Sequence, residues 1–246
     1  MRFFLLLTLS FLSFQGLSHT DLYAQVPASV LDLSHFKLTL PTDQQKSGKA
    51  DEIDGEELQT YVNDRLFFVD PDGDGVVFRA TCGGATTKGS SYPRCELREM
   101  KNGEGERAEW SSGDAGTHEM TLKLKITKTP PVKKHVVCAQ IHDAEDDVLM
   151  VRLEGEKLFV ERNKSEEVML DRKYKLGTMF DLKIQAGQGN ISVWYNGKQA
   201  MNWKHSTDGC YFKAGCYTQS SEKKGDKAES FGEVVIKQLQ IRYADQ

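Results

Sequence analysis

Three short segments carry side chains whose types and spacing suit chemistry on a carboxylate-bearing substrate. They read RCELR at residues 94–98, QIH at residues 140–142 and YFKAGCYTQ at residues 211–219. Arginine and glutamine can neutralise a carboxylate, which acidifies the neighbouring C–H bond, and histidine or tyrosine can then remove its proton. Tyrosine can also protonate the departing oxygen. If the three segments lie side by side, the set predicts β-elimination on a polymer of uronic acids.

The first segment places two guanidinium groups beside a carboxylate. In an extended strand alternate residues share a face, so Arg94, Glu96 and Arg98 would point the same way. Glu96 could hold the arginines in place while their outer N–H groups grip a carboxylate ligand. The alternative for this segment alone is a salt-bridge network on a solvated sheet face.

The second segment combines an amide with a group that titrates near neutrality. It follows the apolar run at residues 136–139, which predicts a central strand. Gln140 and His142 would then face the ligand, and Ile141 would face the core. A lone histidine is more often structural, and the neighbouring amide is what favours a functional role here.

The third segment alternates between a small apolar face, which suits a core, and a polar face. The polar face consists of Tyr211, Lys213, Gly215, Tyr217 and Gln219. Tyr217 is a candidate proton donor or acceptor, and Lys213 is a candidate contact for a carboxylate or hydroxyl group. The glycine indicates that another group approaches the strand closely. The alternative is an aromatic stripe that packs on a neighbouring strand.

Short strands are the elements that must position these segments. Alternating runs recur between turn signals such as Asn-Gly and Gly-Gly, and helical signals are scarce, which predicts an all-β sandwich or jelly roll. No linker or repeat divides residues 25–246, so we expect one domain. The predicted strands are 36–40, 66–69, 76–81, 94–100, 117–127, 136–142, 148–153, 157–162, 180–186, 190–195, 211–219 and 234–243.

Residues 1–24 have the features of a secretory signal peptide. Arg2 precedes an apolar run at residues 3–14, and Ala24 offers a small residue for cleavage before Gln25. The run is too short to span a membrane. We therefore expect a secreted, extracellular protein with no membrane partner; the alternative is a buried N-terminal strand or helix.

The charge balance limits the possible partners. The formal net charge is -4, and removal of residues 1–24 leaves it unchanged because one arginine and one aspartate are lost together. A mildly acidic protein has no overall attraction for polyanions, so we expect no nucleic acid partner. Any anionic ligand must be held by a local basic patch.

The cysteines permit disulfides in an exported protein, although their odd number leaves at least one thiol. Cys82 and Cys95 flank a loop rich in small residues and are the pair that we expect. Cys210 and Cys216 would need a bend, because six extended residues span roughly 20 Å. Cys138 lies in an apolar run and is expected to be a buried thiol.

In these three segments the chain resembles the alginate lyases of polysaccharide lyase family 7. The family motifs R-x-E-L-R, Q-I-H and Y-F-K-A-G-x-Y-x-Q occur in the family's order, and the resemblance spans roughly residues 30–243, nearly the whole chain after residue 24. It implies a β-jelly-roll with a substrate groove across the concave sheet. It also implies endolytic cleavage of alginate by β-elimination without a metal or other cofactor, and we expect a monomer.

The resemblance also implies catalytic roles. Arg94 and Gln140 match the carboxylate neutralisers, His142 matches the base for guluronate, and Tyr217 matches the catalytic acid. For mannuronate, whose C5 proton lies on the other side of the sugar, the family's tyrosine is assigned both roles.

Other positions match groove contacts of the family, namely Arg98, Lys213 and Gln219, and Glu96 joins them as a candidate for substrate binding. Isoleucine within Q-I-H, here Ile141, is associated in the family with activity on guluronate-containing blocks. Because Ile141 should face away from the substrate, any such effect is indirect.

Three other interpretations compete with this one. Asp70, Asp72 and Asp74 resemble part of a calcium loop, but the glutamate that closes an EF-hand is missing, which favours an acidic turn and no metal. Residues 52–57, EIDGEE, fit the E-x-D-x-x-E pattern of laminarinase-like jelly-roll glycoside hydrolases, which use two carboxylates. A non-catalytic carbohydrate-binding sandwich is the third. Neither rival function explains all three basic and amide segments.

Overall fold

The computed structural model describes residues 25–101, 105–163 and 165–244. Within these ranges the chain is nearly all β-structure and forms a jelly-roll sandwich, which confirms the predicted fold class. The signal peptide predicted at residues 1–24 lies outside the described residues. The strands are β1 (Phe36–Thr39), β2 (Glu52–Ile53), β3 (Phe67–Val69), β4 (Val76–Thr81), β5 (Arg94–Lys101), β6 (Glu106–Arg107), β7 (Thr117–Lys128), β8 (His135–His142), β9 (Asp147–Glu154), β10 (Lys157–Arg162), β11 (Ser165–Asp171), β12 (Phe180–Gly187), β13 (Asn190–Tyr195), β14 (Lys198–Lys204), β15 (Tyr211–Tyr217) and β16 (Phe231–Ala244).

The strands form two antiparallel sheets. The sheet that carries the three motif segments, called here the site sheet, has the order β11-β10-β9-β8-β15-β5-β1-β2, and β6 pairs with β5. The back sheet has the order β14-β13-β12-β7-β16-β4-β3. QIH on β8, YFKAGCY on β15 and RCELR on β5 are therefore on three adjacent strands, as the sequence predicted.

The core lies between the sheets, because alternate residues of each strand point inward. Leu97, Ile141 and Phe212 enter it from the site sheet, and Leu124 and Ile236 enter it from the back sheet; all five are fully buried. The apolar half of each motif is thus fixed in the core. The polar half must lie on the opposite face of the site sheet.

One short α-helix, α1 (Gly55–Thr60), begins within the EIDGEE segment of residues 52–57 and was not predicted from the sequence. Two acidic residues in its first turn, Glu56 and Glu57, favour a helix N-terminus, and Leu58 anchors the helix in the core. Glu52 precedes this helix on β2. The carboxylates of the E-x-D-x-x-E pattern therefore do not share one strand face, as a hydrolase site on a sheet would require.

Besides the two-residue strands β2 and β6, two longer strands were not predicted from the sequence, namely β11 and β14. Each lies at an edge of its sheet, where one side has no strand neighbour. Their outer residues are exposed or half-buried, so their sequences show no clear apolar alternation. Among the described residues, no helix is long and apolar enough to cross a membrane.

The predicted Cys82–Cys95 disulfide is wrong. All five cysteines lie within the described ranges, and each is buried as a free thiol. Cys95 points into the core from β5, where its Sγ donates a hydrogen bond to the Leu66 carbonyl oxygen at 3.3 Å. Cys82 follows β4 in the other sheet. Cys138 is a buried thiol, as predicted.

Candidate active site

Strand register makes neighbours of the polar side chains on the open face of the site sheet. On β15, Lys213 lies opposite Arg98 of β5 and opposite Gln140 of β8. Gly215 lies opposite Glu96 of β5. Residues far apart in the chain thus form one continuous polar floor.

The two ends of this floor carry the titratable side chains expected to do chemistry. At one end, Tyr217 lies opposite Arg94 on β5. At the other end, Tyr211 lies opposite His142 on β8. The candidate acid and the candidate base therefore approach the floor from different ends of β15.

Only glycine fits at position 215, because the neighbouring strand β5 lies very close to its backbone. Its backbone has φ +142°, and a Cβ atom there would lie 2.6 Å from the Cys95 carbonyl oxygen and 2.8 Å from the Glu96 Cα. These distances are shorter than real Cβ contacts, so only glycine fits without a backbone shift. The close approach that the sequence indicated is an approach of β5.

Glu96 lies beneath the floor, fully buried, and holds three side chains together. Its Oε2 accepts hydrogen bonds from Lys213 Nζ at 2.6 Å and Arg94 Nη1 at 2.9 Å, and its Oε1 accepts one from Gln140 Nε2. Burial alone would raise the pKa of Glu96, but Lys213 and Arg94 outweigh it and hold the pKa below its usual value. A carboxylate with no exposed surface cannot contact a polymer in a groove. Glu96 therefore positions the groups above it, which corrects its assignment to substrate binding.

The floor is positively charged although the whole chain has a net charge of -4. Arg94, Arg98 and Lys213 supply three cations against the single carboxylate of Glu96. Burial lowers the pKa of Lys213 to about 8, and the nearby arginines act in the same direction. This is the local basic patch that an anionic ligand of an acidic protein requires.

Tyr211 stands between a guanidinium group and an imidazole ring. The Arg98 Cζ lies 3.8 Å from the centre of the Tyr211 ring, and the Tyr211 and His142 rings stack with their centres 5.4 Å apart. The Arg98 Nε has no hydrogen-bond partner among the described residues. The stack fixes the plane of Arg98, whose N–H groups are then available to an anion.

The hydrogen bond of His142 fixes its tautomer when the ring is neutral. Its Nδ1 lies 2.7 Å from the Asp143 carbonyl oxygen, which can only accept, so Nδ1 carries the hydrogen. The Nε2 lone pair is then free. Burial lowers the pKa of His142, and the positive charge of Lys213 lowers it further, so the ring is neutral near pH 7 and can act as a base.

Tyr217 is placed to act as an acid. The Arg94 Cζ lies 3.9 Å from its ring centre, and its hydroxyl oxygen lies 3.3 Å from Ser90 Oγ. Burial raises the pKa of Tyr217, although Arg94 and Ser90 pull it downward. The phenol is therefore protonated at neutral pH and has a proton to give.

One cavity of about 570 Å³ is lined by most of the predicted site residues, namely Arg94, Arg98, Gln140, His142, Lys213 and Tyr217, together with Tyr211. Gln219 does not line this cavity. Its Oε1 accepts a hydrogen bond from Arg152 Nη1 at 3.2 Å, and its Nε2 lies 3.6 Å from Met150 Sδ. Among the predicted residues, Gln219 is thus set apart from the floor.

The cavity is also lined by charged residues outside the three motif segments, which the sequence did not reveal. Lys49 and Lys88 are basic, and Glu145, Asp146 and Asp147 form an acidic run. Burial raises the pKa of Asp147 to about 6, and the neighbouring carboxyl group of Asp146 adds to the rise. These residues lie in or next to loops, where no periodic pattern marks them.

Comparison with known proteins gives a consistent result. A family model described as alginate lyase matches residues 31–243. A curated relative, an alginate lyase of Klebsiella pneumoniae, is 32% identical over 145 residues, which are 49% of this chain and 47% of the relative. The match thus spans about half the length of that curated relative.

Two solved structures resemble the chain over nearly their whole length. Alginate lyase AlgAT5 from polysaccharide lyase family 7 is 50% identical with a TM-score of 0.86, covering 90% of this chain and 100% of that chain. A variant of family 7 alginate lyase A1-II′ in complex with the product GGG is 26% identical with a TM-score of 0.77, again covering 90% and 100%.

Proposed function

This chain belongs to the alginate lyase family, and we propose that it cleaves alginate by β-elimination above the floor of its site sheet. The observation that carries the proposal is the single cavity lined by Arg94, Gln140, His142 and Tyr217. It combines a net positive floor with a neutral imidazole and a protonated phenol. Together these groups meet the needs of proton abstraction next to a carboxylate.

The first task is to neutralise the carboxylate attached to C5 of the sugar. Arg94 directs one N–H to Glu96 and another to Ser90, and the second N–H of each terminal nitrogen remains for the ligand, whereas its Nε is buried without a hydrogen-bond partner among the described residues. Gln140 directs one of its two amide N–H bonds to Glu96 and keeps the second. A neutralised carboxylate can take up the negative charge that develops when the C5 proton leaves.

Proton transfer then completes the elimination. His142 Nε2 takes the C5 proton, the C5–H electrons form the C4–C5 double bond, and the bond from C4 to the bridging oxygen breaks. Tyr217 gives its proton to that oxygen. In guluronate the C5 proton and the leaving oxygen lie on opposite faces of the ring, so the base and the acid must be two different groups, and the cavity offers His142 and Tyr217.

For mannuronate the proton and the leaving oxygen lie on the same face of the ring. We propose that on this substrate the ionised form of Tyr217 acts: its phenolate takes the C5 proton, and the resulting phenol gives that proton to the leaving oxygen. His142 is dispensable for that route, which makes the two substrates experimentally separable.

We further propose a preference for guluronate-containing blocks. The related alginate lyase A1-II′ has been solved in complex with the product GGG, in which G denotes guluronate. Ile141 of the Q-I-H motif is fully buried in the core, so its effect on preference would act through the position of β8. On the family resemblance we propose endolytic action by a secreted monomer, with residues 25–246 forming the catalytic domain.

The test is ultraviolet absorbance of the unsaturated product during separate incubations with polyguluronate, polymannuronate and alternating alginate. We expect absorbance to rise fastest on guluronate-containing polymers, and product sizes to show internal cleavage. Tyr217→Phe should lose most turnover while polymer binding is largely kept. New reducing ends without absorbance would favour hydrolysis in place of elimination, and binding without either signal would favour a carbohydrate-binding module.

A further inference from the structure

Ser90 lies on the loop that borders the acid end of the floor. Its backbone N–H donates to the Thr87 carbonyl oxygen at 3.0 Å, which closes a turn. Gly89, with φ +85°, occupies the left-handed position that this turn requires. The turn brings Ser90 to the cavity wall beside Tyr217, which is 127 residues away in the chain.

The hydroxyl group of Ser90 has four polar neighbours. Its Oγ lies 3.0 Å from the Tyr92 carbonyl oxygen, 3.2 Å from the Tyr92 backbone nitrogen, 3.2 Å from Arg94 Nη2 and 3.3 Å from the Tyr217 hydroxyl oxygen. A hydroxyl has one hydrogen and two lone pairs, so these four contacts cannot all be hydrogen bonds at once. The chemistry of the neighbours decides which are made.

Two of the neighbours can only donate. The Tyr92 N–H and the Arg94 guanidinium have no lone pair to offer, so they occupy both lone pairs of the Ser90 oxygen. The single Ser90 hydrogen is left for either the Tyr92 carbonyl oxygen or the Tyr217 oxygen. The phenol hydrogen of Tyr217 finds no free acceptor on Ser90 and can point into the cavity.

We propose that Ser90 is a positioning residue for Tyr217: it leaves the phenol hydrogen free for the leaving oxygen and donates its own hydrogen to the phenolate once that proton has gone. This inference rests on the proposed lyase function. Before the reaction the Ser90 hydrogen is directed to the Tyr92 carbonyl oxygen, and after it to Tyr217. A charged acceptor makes the second hydrogen bond the stronger of the two.

The proton balance closes without a further reagent. Tyr217 loses one proton to the leaving oxygen, and His142 gains the C5 proton. Ser90 keeps its own proton throughout and only changes acceptor. Water takes the proton from His142 and returns one to Tyr217. The Ser90 hydroxyl then donates its hydrogen bond to the Tyr92 carbonyl oxygen again.

Ser90→Ala and Ser90→Thr test the proposal in the full-length enzyme. Loss of one hydrogen bond to an ionised group should lower kcat about 10- to 100-fold with little change in KM. Ser90→Thr keeps the hydroxyl and should restore most of the rate. Ser91→Ala is the matched control, since Ser91 is the next residue, is exposed and makes none of the four contacts.

Ser90 contacts Arg94 as well as Tyr217, so a double variant is needed to show through which of the two residues it acts. In a Tyr217→Phe background the Ser90→Ala change should have no further effect on the residual rate. An equal loss in both backgrounds would mean that Ser90 acts through Arg94, and it would overturn the proposal. An unchanged kcat in Ser90→Ala alone would overturn it as well.

Titration of the ligand-free protein gives a readout that needs no substrate. With 13C-labelled tyrosine, the Tyr217 signal is assigned by its loss in Tyr217→Phe, and Ser90→Ala should move its ionisation to higher pH. If the native enzyme forms no unsaturated product but this shift occurs, the lyase function fails while the Ser90 contact stands. If product forms and the shift is missing, the role of Ser90 fails alone.

Discussion

The Glu96 carboxylate, beneath the floor of the site sheet, lies 2.6 Å from the ammonium group of Lys213 in that floor. Arg94 and Gln140 converge on the same carboxylate, so one buried acid joins side chains from β5, β15 and β8. The distances between these strands are set by the sheet, and the buried carboxylate sets the orientation of the side chains upon them. The charge pattern that would bind the polymer is therefore part of the folded core.

Glu96→Gln should destabilise the protein strongly. Two buried cations would lose their counter-charge, and breaking a buried pair in this way typically costs about 3–5 kcal/mol. Denaturant unfolding measures the change. Glu52→Gln is the matched control, because the Lys37–Glu52 pair at 2.6 Å is half-exposed on its acidic side and should contribute less than about 1 kcal/mol. An equal loss of stability in both variants would contradict the central role of the buried Glu96 carboxylate.

Affinity for alginate should weaken at alkaline pH. The pKa of Lys213 is lowered by burial to about 8, so the floor loses one positive charge as the pH rises through that value. KM for the polymer, measured at constant ionic strength, should rise there while the arginines stay charged. Lys213→Arg should remove the rise, because arginine does not deprotonate in this range. The same rise in both proteins would exclude Lys213 as its source.

Cleavage of polyguluronate should fall on the acid side as His142 becomes protonated. The base must be neutral, so the rate is full above its pKa and is lost as the pH drops through it. Because burial lowers the pKa of His142, the midpoint should lie below the ordinary histidine value of about 6.5. His142→Ala should reduce polyguluronate cleavage far more than polymannuronate cleavage. A rate independent of pH through this region would refute His142 as the base.

The cysteines should all react as thiols. In protein denatured without a reducing agent, a thiol reagent should count five groups per chain. In the native protein the reaction should be slow, because all five are buried. Reducing agent should leave the melting temperature unchanged. A count of three would mean that one disulfide forms after all.

Most of the fold and much of the site could be predicted from local pattern. The period-two alternation in RCELR and YFKAGCYTQ separates residues for the core from residues for the open face, because strand geometry fixes that separation. The same rule fails at β11 and β14, whose edge positions impose no alternation. It also fails for α1, where short-range charge effects at the helix start favour another structure.

The sequence by itself determined which side chains could share a face, since alternation is a property of each strand. Tertiary structure alone decided which of these side chains are exposed and which are buried. Glu96 shares a face with Arg98, yet cations from two strands and an amide from a third enclose it completely. Ser90 contacts Tyr217, which is 127 residues away in the chain. Cys95 lies on β5 of the site sheet, whereas Cys82 follows β4 of the back sheet. Burial and contact depend on residues distant in the chain, and no local pattern records them.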